Sequence, residues 1–290
     1  MFCTVEGFSQ YDINSFLKPS DTLHPKRLKT LVITEASVIG LSLIGLNQLW
    51  YNDFERSKFH TLNDSKEWLQ MDKVGHAFSA YQLGRFGAES LKWSGVDPKN
   101  QLIYGATLGF GYLSVIELFD GFSKEWGFSW SDMAANATGT GLYISQQLLW
   151  KEQRIAFKFS FNRTGFAKQR PNKLGNGFTE EILKDYNGQT YWLSANVYSF
   201  FKTEKIPKWL NVAFGYGATG MLSGETKNVD FPNQERLRQF YLSLDVDLTR
   251  IKTNSNVLKT LFSVFNSIKI PFPALEINSK GLVNTHVMYF

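Results

Sequence analysis

The sequence predicts an α+β protein: an N-terminal helical bundle of about four helices packed with a C-terminal antiparallel β-sheet or partial barrel of about six strands. Three observations predict it. Long apolar segments with helical spacing fill residues 29–151. The period changes to two after residue 152, where Ile155, Phe157, Phe159 and Phe161 alternate with Ala156, Lys158 and Ser160. Aromatic residues make up 16% of the chain, and such side chains suit surfaces with one wet and one apolar end.

Taken in order, residues 1–28 form a signal-peptide remnant and a polar N-terminal segment. Met1–Gln10 reads as the tail of a secretory signal, with Cys3 open to lipidation or to removal with that signal. The first helix runs from Leu31 to Trp50. Its length suits a bilayer span or a buried bundle helix, and Lys26, Arg27 and Lys29 form an interfacial flank. A charged link, Tyr51 to Glu67, leads to helices at Trp68–Leu91, Leu102–Phe119 and Ser131–Trp150. The third carries Gly105, Gly109 and Gly111, and Gly105-x-x-x-Gly109 permits close helix approach.

The β region, 152–290, holds strands at Ile155–Phe161, Tyr191–Phe201, Leu210–Met221, Phe240–Leu248 and Leu282–Phe290. Phe240, Leu242, Leu244, Val246 and Leu248 alternate with Tyr241, Ser243, Asp245, Asp247 and Thr249, a half-buried pattern. Ile268–Ile277 is a further strand that Pro271 and Pro273 confine to an edge, and Asn254–Phe265 is a short helix. Because the smallest closed membrane barrels have about eight strands, about six imply a curved sheet wrapped against the helices.

Charge is uneven along the chain. Residues 1–151 hold 13 Lys+Arg and 15 Asp+Glu, net −2, and residues 152–290 hold 18 and 11, net +7. The basic residues of the second half are scattered, so no nucleic-acid partner is expected. A single cysteine excludes a disulfide framework and a cysteine-built metal site within one chain. No phosphate loop, nucleophile elbow or Cys–His pair occurs, and no cofactor is expected.

The candidate site lies in the helical half. Asp72, Lys73 and His76 fall on one stretch, and Asp72 and His76, four apart, share a helix face. Glu117 closes an apolar helix, and Asp132 and Asn136 are again four apart. Burying such groups is costly unless they pair with each other, a metal or a ligand. His76, Glu117 and Asp132 are therefore candidate acid–base or metal-binding residues, with the metal undetermined. A polar network fixing helix register, with Asp72 orienting His76 and Asp132 as an N-cap, is the structural alternative. One His among carboxylates is a sparse donor set for zinc.

Met71-Asp72-Lys73-Val74-Gly75-His76, the glycine-rich helix ending Ile116-Glu117, and Ser131-Asp132-Met133-Ala134-Ala135-Asn136 together resemble the YfiM-like family of periplasmic lipoproteins of unknown function. Over about residues 60–150 the chain is also similar, more distantly, to VanZ-like membrane proteins. The resemblance implies a cell-envelope location and no established activity. The expectation is a membrane-associated envelope protein, at the outer membrane or a periplasmic membrane face, serving structure, assembly or lipid binding. Its partners would be membrane lipid and other envelope proteins. The alternative is an envelope enzyme acting on a lipid or cell-wall precursor through His76, Glu117 and Asp132, with Asn136 orienting.

Overall fold

In a computed structural model, residues 12–48, 55–225 and 234–290 are described. The signal-remnant reading of Met1–Gln10, Cys3 included, lies outside them, as do Trp50 and residues 51–54 of the link. The helical half begins with α1 (Ile13–Phe16), α2 (Pro25–Leu46) and α3 (Met71–Trp93). It continues with α4 (Pro98–Asn100), α5 (Leu108–Asp120) and α6 (Trp130–Trp150). A π-helical segment, Gln101–Ala106, joins α4 to α5, so that one helical run spans Pro98–Asp120. Then come β1 (Ile155–Phe161), α7 (Phe166–Gln169), α8 (Pro171–Leu174), α9 (Phe178–Lys184), β2 (Gln189–Asn196), α10 (Val197–Phe201), β3 (Leu210–Thr219), β4 (Leu237–Val246), α11 (Asn256–Phe265), β5 (Phe272–Asn278) and β6 (Val283–Tyr289).

Local chemistry sets the helix ends. Pro25 occupies the first turn of α2, where its missing N–H costs nothing, and the His24 side chain accepts from Arg27 N. Ser129 caps α6 by accepting from Asp132 N at 3.1 Å, so Asp132 is a first-turn residue rather than the cap expected of it. Small residues let the helices meet at backbone distance. A Cβ on Gly139 of α6 would strike the Ala77 carbonyl of α3, and one on Gly109 of α5 would strike that of Ala80. Helix α3 is thus clasped between α5 and α6.

The six strands form one antiparallel sheet in the order β1-β2-β3-β4-β5-β6. Strand order is open, but the sheet curls. Phe159 of β1 bonds Ser267 O and Lys269 N, each at 2.9 Å, so the chain entering β5 meets the free β1 edge. Strand β5 is therefore interior and not the edge that its prolines implied. Pro273 sits at the register shift between Phe272 and Ala274, where a missing N–H does not break the ladder.

Burial in the sheet is inverted relative to a soluble half-buried strand. In β4 the polar set, Ser243 and Asp245 with Tyr241, is buried, while Phe240, Leu242 and Leu244 are exposed. The concave side holds Lys158 and Asp245, both fully buried and 2.8 Å apart. It also holds Ser194, which donates to Asp245 at 2.6 Å, and Trp192, whose ring NH reaches Ser160 Oγ at 2.9 Å. Tyr289 of β6 donates to Tyr241 at 2.9 Å and lies 3.2 Å from Thr190 Oγ1 of β2. The convex apolar side is covered by α3 only over β1 and β2, where Phe78 packs on Phe157, Phe159 and Tyr191 at 5.5–5.7 Å between ring centroids. Farther on, the register row Leu193–Phe214–Leu242–Leu275 is exposed.

Candidate functional site

The site forms where the N-terminus of α3 meets the ends of α5 and α6. Its entry is an unusual turn. Trp68, Leu69 and Gln70 all carry left-handed backbone, at φ 47°, 50° and 65°. Each such non-glycine residue costs on the order of 1–2 kcal/mol, and here outside contacts pin the turn. Trp68 N donates to Gly224 O at 3.0 Å, Tyr216 OH donates to Leu69 O, and Arg238 donates to Gln70 Oε1 at 2.6 Å. The turn fixes the direction in which Asp72 and Lys73 leave the first turn of α3.

The Lys73 ammonium lies among three aspartates, 2.5 Å from Asp64, 2.9 Å from Asp72 and 2.9 Å from Asp132 Oδ1. Asp64 is also held by the Ser129 and Ser131 hydroxyls at 2.6 and 2.8 Å, and Asp72 accepts from Tyr186 OH at 2.6 Å. His76 Nδ1 lies 3.1 Å from Asn136 Oδ1, which sets the imidazole orientation. Its Nε2 points between Glu117 Oε1 at 3.7 Å and Asp72 Oδ1 at 3.9 Å, closer than unrelated groups but beyond hydrogen-bond range. The imidazole is thus oriented by Asn136, not by Asp72. Glu117, 1% exposed, accepts from Ser129 N at 3.0 Å, whereas the His76 side chain is 17% exposed.

Four carboxylates surround two bases, and this imbalance shows in their protonation. Burial, with the Asp132 charge second, raises Glu117 to about 8. Burial, with the Asp72 charge second, raises Asp132 to about 7. Burial opposes charge on His76, but Asp72, Asp132 and Glu117 together raise it. Burial alone would raise Asp72 and Asp64 too. The His76 and Lys73 charges hold Asp72 below the ordinary aspartate value, and bonds from Lys73 and the serines do so for Asp64. Groups that change protonation near neutrality sit beside an oriented imidazole, an arrangement suited to moving protons.

Asp72, His76 and Asp132 also present ligand atoms within 4.8 Å of one another. Carboxylates with one imidazole suit an oxygen-preferring divalent cation more than structural zinc. The Lys73 ammonium, however, already bridges both aspartates of that set. Among the described residues, Asn136 Nδ2 and Thr140 Oγ1 are buried beside this cluster without a hydrogen-bond partner.

All six residues singled out from the sequence, Asp72, Lys73, His76, Glu117, Asp132 and Asn136, thus come together. Asp64, Ser129 and Tyr186 complete the set. Ser129 stands three residues before Asp132, the spacing at which a serine caps a helix. Asp64, in a polar loop, and Tyr186, 114 positions beyond Asp72, carried no local signal. No curated protein and no solved structure matches the chain. Residues 62–147, which carry every residue of the cluster except Tyr186, match the family described as Predicted periplasmic lipoprotein (DUF2279), which points to a periplasmic envelope protein of unknown activity.

Proposed function

We propose that this protein seats on an envelope membrane, the outer membrane in the first instance, and serves structure, assembly or lipid binding there. The observation that carries the reading is the inverted sheet. Its concave face is polar, hydrogen-bonded and buried, and its convex face is a continuous apolar surface, with Phe214 59% and Phe240 50% exposed. In water such a face would cost about 25 cal/mol per Å² of apolar area, and contact with acyl chains removes that cost. Helix α2 supports the reading. It is 22 residues long with a mean hydropathy of 1.5 in its best window, and none of that window is buried. The match of residues 62–147 to the family of predicted periplasmic lipoproteins agrees with an envelope setting.

The test is fractionation of cells expressing the full chain, with carbonate and then detergent extraction. Recovery in the outer-membrane fraction, resistant to carbonate and released by detergent, is expected. Release as soluble protein would sink the proposal.

A second reading has one observation in its favour. His76 Nε2 is oriented, partly exposed and faces Glu117, which suits acid–base chemistry on a lipid or cell-wall precursor. Under it, His76→Ala abolishes function in cells while protein level and location stay normal. Loss of folded protein would instead assign the cluster to structure.

A further inference from the structure

A second polar site lies at the other end of α3. Arg85 is nine residues beyond His76, roughly 13 Å along the helix axis. It lines a half-open cavity of about 370 Å³ together with Tyr81, Gln82, Gln153, Arg250 and Asn266. The residue is 6% exposed, and its guanidinium is almost fully engaged. Nε donates to Gln82 Oε1 at 2.8 Å, and Nη1 donates to Glu89 at 3.1 Å and Ser263 Oγ at 2.6 Å. Nη2, in contrast, is buried and has no partner among the described residues. An unsatisfied buried charge-bearing donor is costly, and a ligand oxygen would relieve it.

The carboxylates around this cavity are already spoken for. Glu89 pairs with Arg85, Glu152 with Arg154 at 2.9 Å, Arg250 at 3.0 Å and Lys202 at 3.6 Å, and Asp247 with Arg250 at 3.6 Å. Four cations thus meet three carboxylates, leaving room for one negative charge. Aromatic and basic side chains neighbour the lining residues Glu152 and Asp247. Trp150 packs edge-on against Phe200 at 5.6 Å, Arg154 lies 4.9 Å over Trp150, and Phe201 and Trp209 are exposed. Helix α11 ends at the cavity, which its C-cap Asn266 lines. Its Ser263 faces Arg85, while Leu258, Leu261, Val264 and Phe265 are exposed on its outer side. An amphipathic helix beside aromatic and basic side chains is the composition of a membrane interface with anionic headgroups.

We propose that this cavity binds a phosphate group, carried by the headgroup of an anionic lipid, through Arg85. The lipid source rests on the membrane reading above, and the phosphate chemistry rests on Arg85 and the cavity alone. Because Nη2 is shielded, binding includes a small rotation of the Arg85 side chain toward the cavity. The acyl chains would then lie along the exposed side of α11.

The test uses the full chain with vesicles of digalactosyldiacylglycerol, which lacks phosphate, and with the same lipid plus phosphatidylglycerol. Binding at least about tenfold tighter to the phosphate-bearing vesicles is expected, the effect of one charge-assisted hydrogen bond. Arg85→Gln removes one charge. Thr249→Trp, at the exposed rim, obstructs the mouth with no change of charge. Both variants should lose the preference while still attaching to phosphate-free vesicles, with unchanged circular dichroism. Retention of the preference in both overturns the headgroup site and leaves the membrane reading standing. Inorganic phosphate separates the two sources. If the wild type attaches to neither vesicle, yet phosphate protects it and not Arg85→Gln from thermal unfolding, the site takes a free anion and the lipid source is overturned. Neither attachment nor protection overturns both.

Discussion

At the scale of the residue, Glu117 shows how far its surroundings can alter the chemistry of a carboxyl group. Burial first, and the Asp132 charge second, keep it protonated up to about pH 8, whereas in the unfolded chain it ionises near 4.5. The fold therefore binds its proton more tightly. The stability it contributes is complete below the unfolded value and is lost as pH rises through about 8. Asp64 and Asp72 have the opposite sign. Both are held below the ordinary aspartate value, so their contribution is present above 3.8 and fades as pH falls. Glu117→Gln keeps the shape and cannot ionise. It is predicted to flatten the fall in melting temperature between about pH 5 and pH 8, recovering roughly 1–3 kcal/mol at the alkaline end. An unchanged slope in a pH series of thermal melts would remove Glu117 from this account.

At the scale of the element, close approach of backbones matters more than side-chain volume in the helical half. Gly139 and Gly141 lie two apart on α6 and have opposite surroundings. A Cβ at Gly139 would meet the Ala77 carbonyl, and one at Gly141 meets nothing within 4 Å. Gly139→Ala is predicted to destabilise by roughly 1–3 kcal/mol, since α6 must retreat from α3. Gly141→Ala should be neutral or stabilise by up to about 1 kcal/mol through helix propensity. Chemical denaturation of the two variants checks this, and equal effects would contradict the packing described. The retreat would also lengthen the His76–Asn136 contact, because those residues face each other across the same α3–α6 seam. The strands follow other rules. The buried Lys158–Asp245 pair leaves a stranded charge if either partner is removed, which makes it a determinant of how the sheet curls.

At the scale of the whole molecule, the apolar convex face is the feature that a water-soluble account leaves unexplained. Phe214 and Leu242 pair across β3 and β4 on that face, and both are exposed. Replacing both with Glu leaves the buried polar side of the sheet untouched, since both side chains are exposed on the other face. The same double variant is predicted to shift the protein from the membrane fraction to the soluble one. Unaltered fractionation would show that this face does not meet lipid. The two ends of α3 would then serve different purposes, a proton-rich cluster at His76 and a cationic cavity at Arg85.

The sequence by itself determined the helical and β halves, the strand alternation and the six polar residues of the His76 cluster. Helical spacing and period two are local properties, and ionisable groups in apolar helices stand out without any fold. It did not determine which side of the strands faces inward. Alternation in Phe240–Val246 is the same whether Leu242 or Ser243 is buried. Only the curl of the sheet, closed by Phe159 against Ser267 and Lys269 and by Lys158 against Asp245, put the polar set inside. Nor could spacing along the chain reveal Tyr186 beside Asp72, or Ser263 beside Arg85, 178 residues away. Those meetings depend on how elements pack, and packing is decided by the shapes of whole faces rather than by any local run of residues.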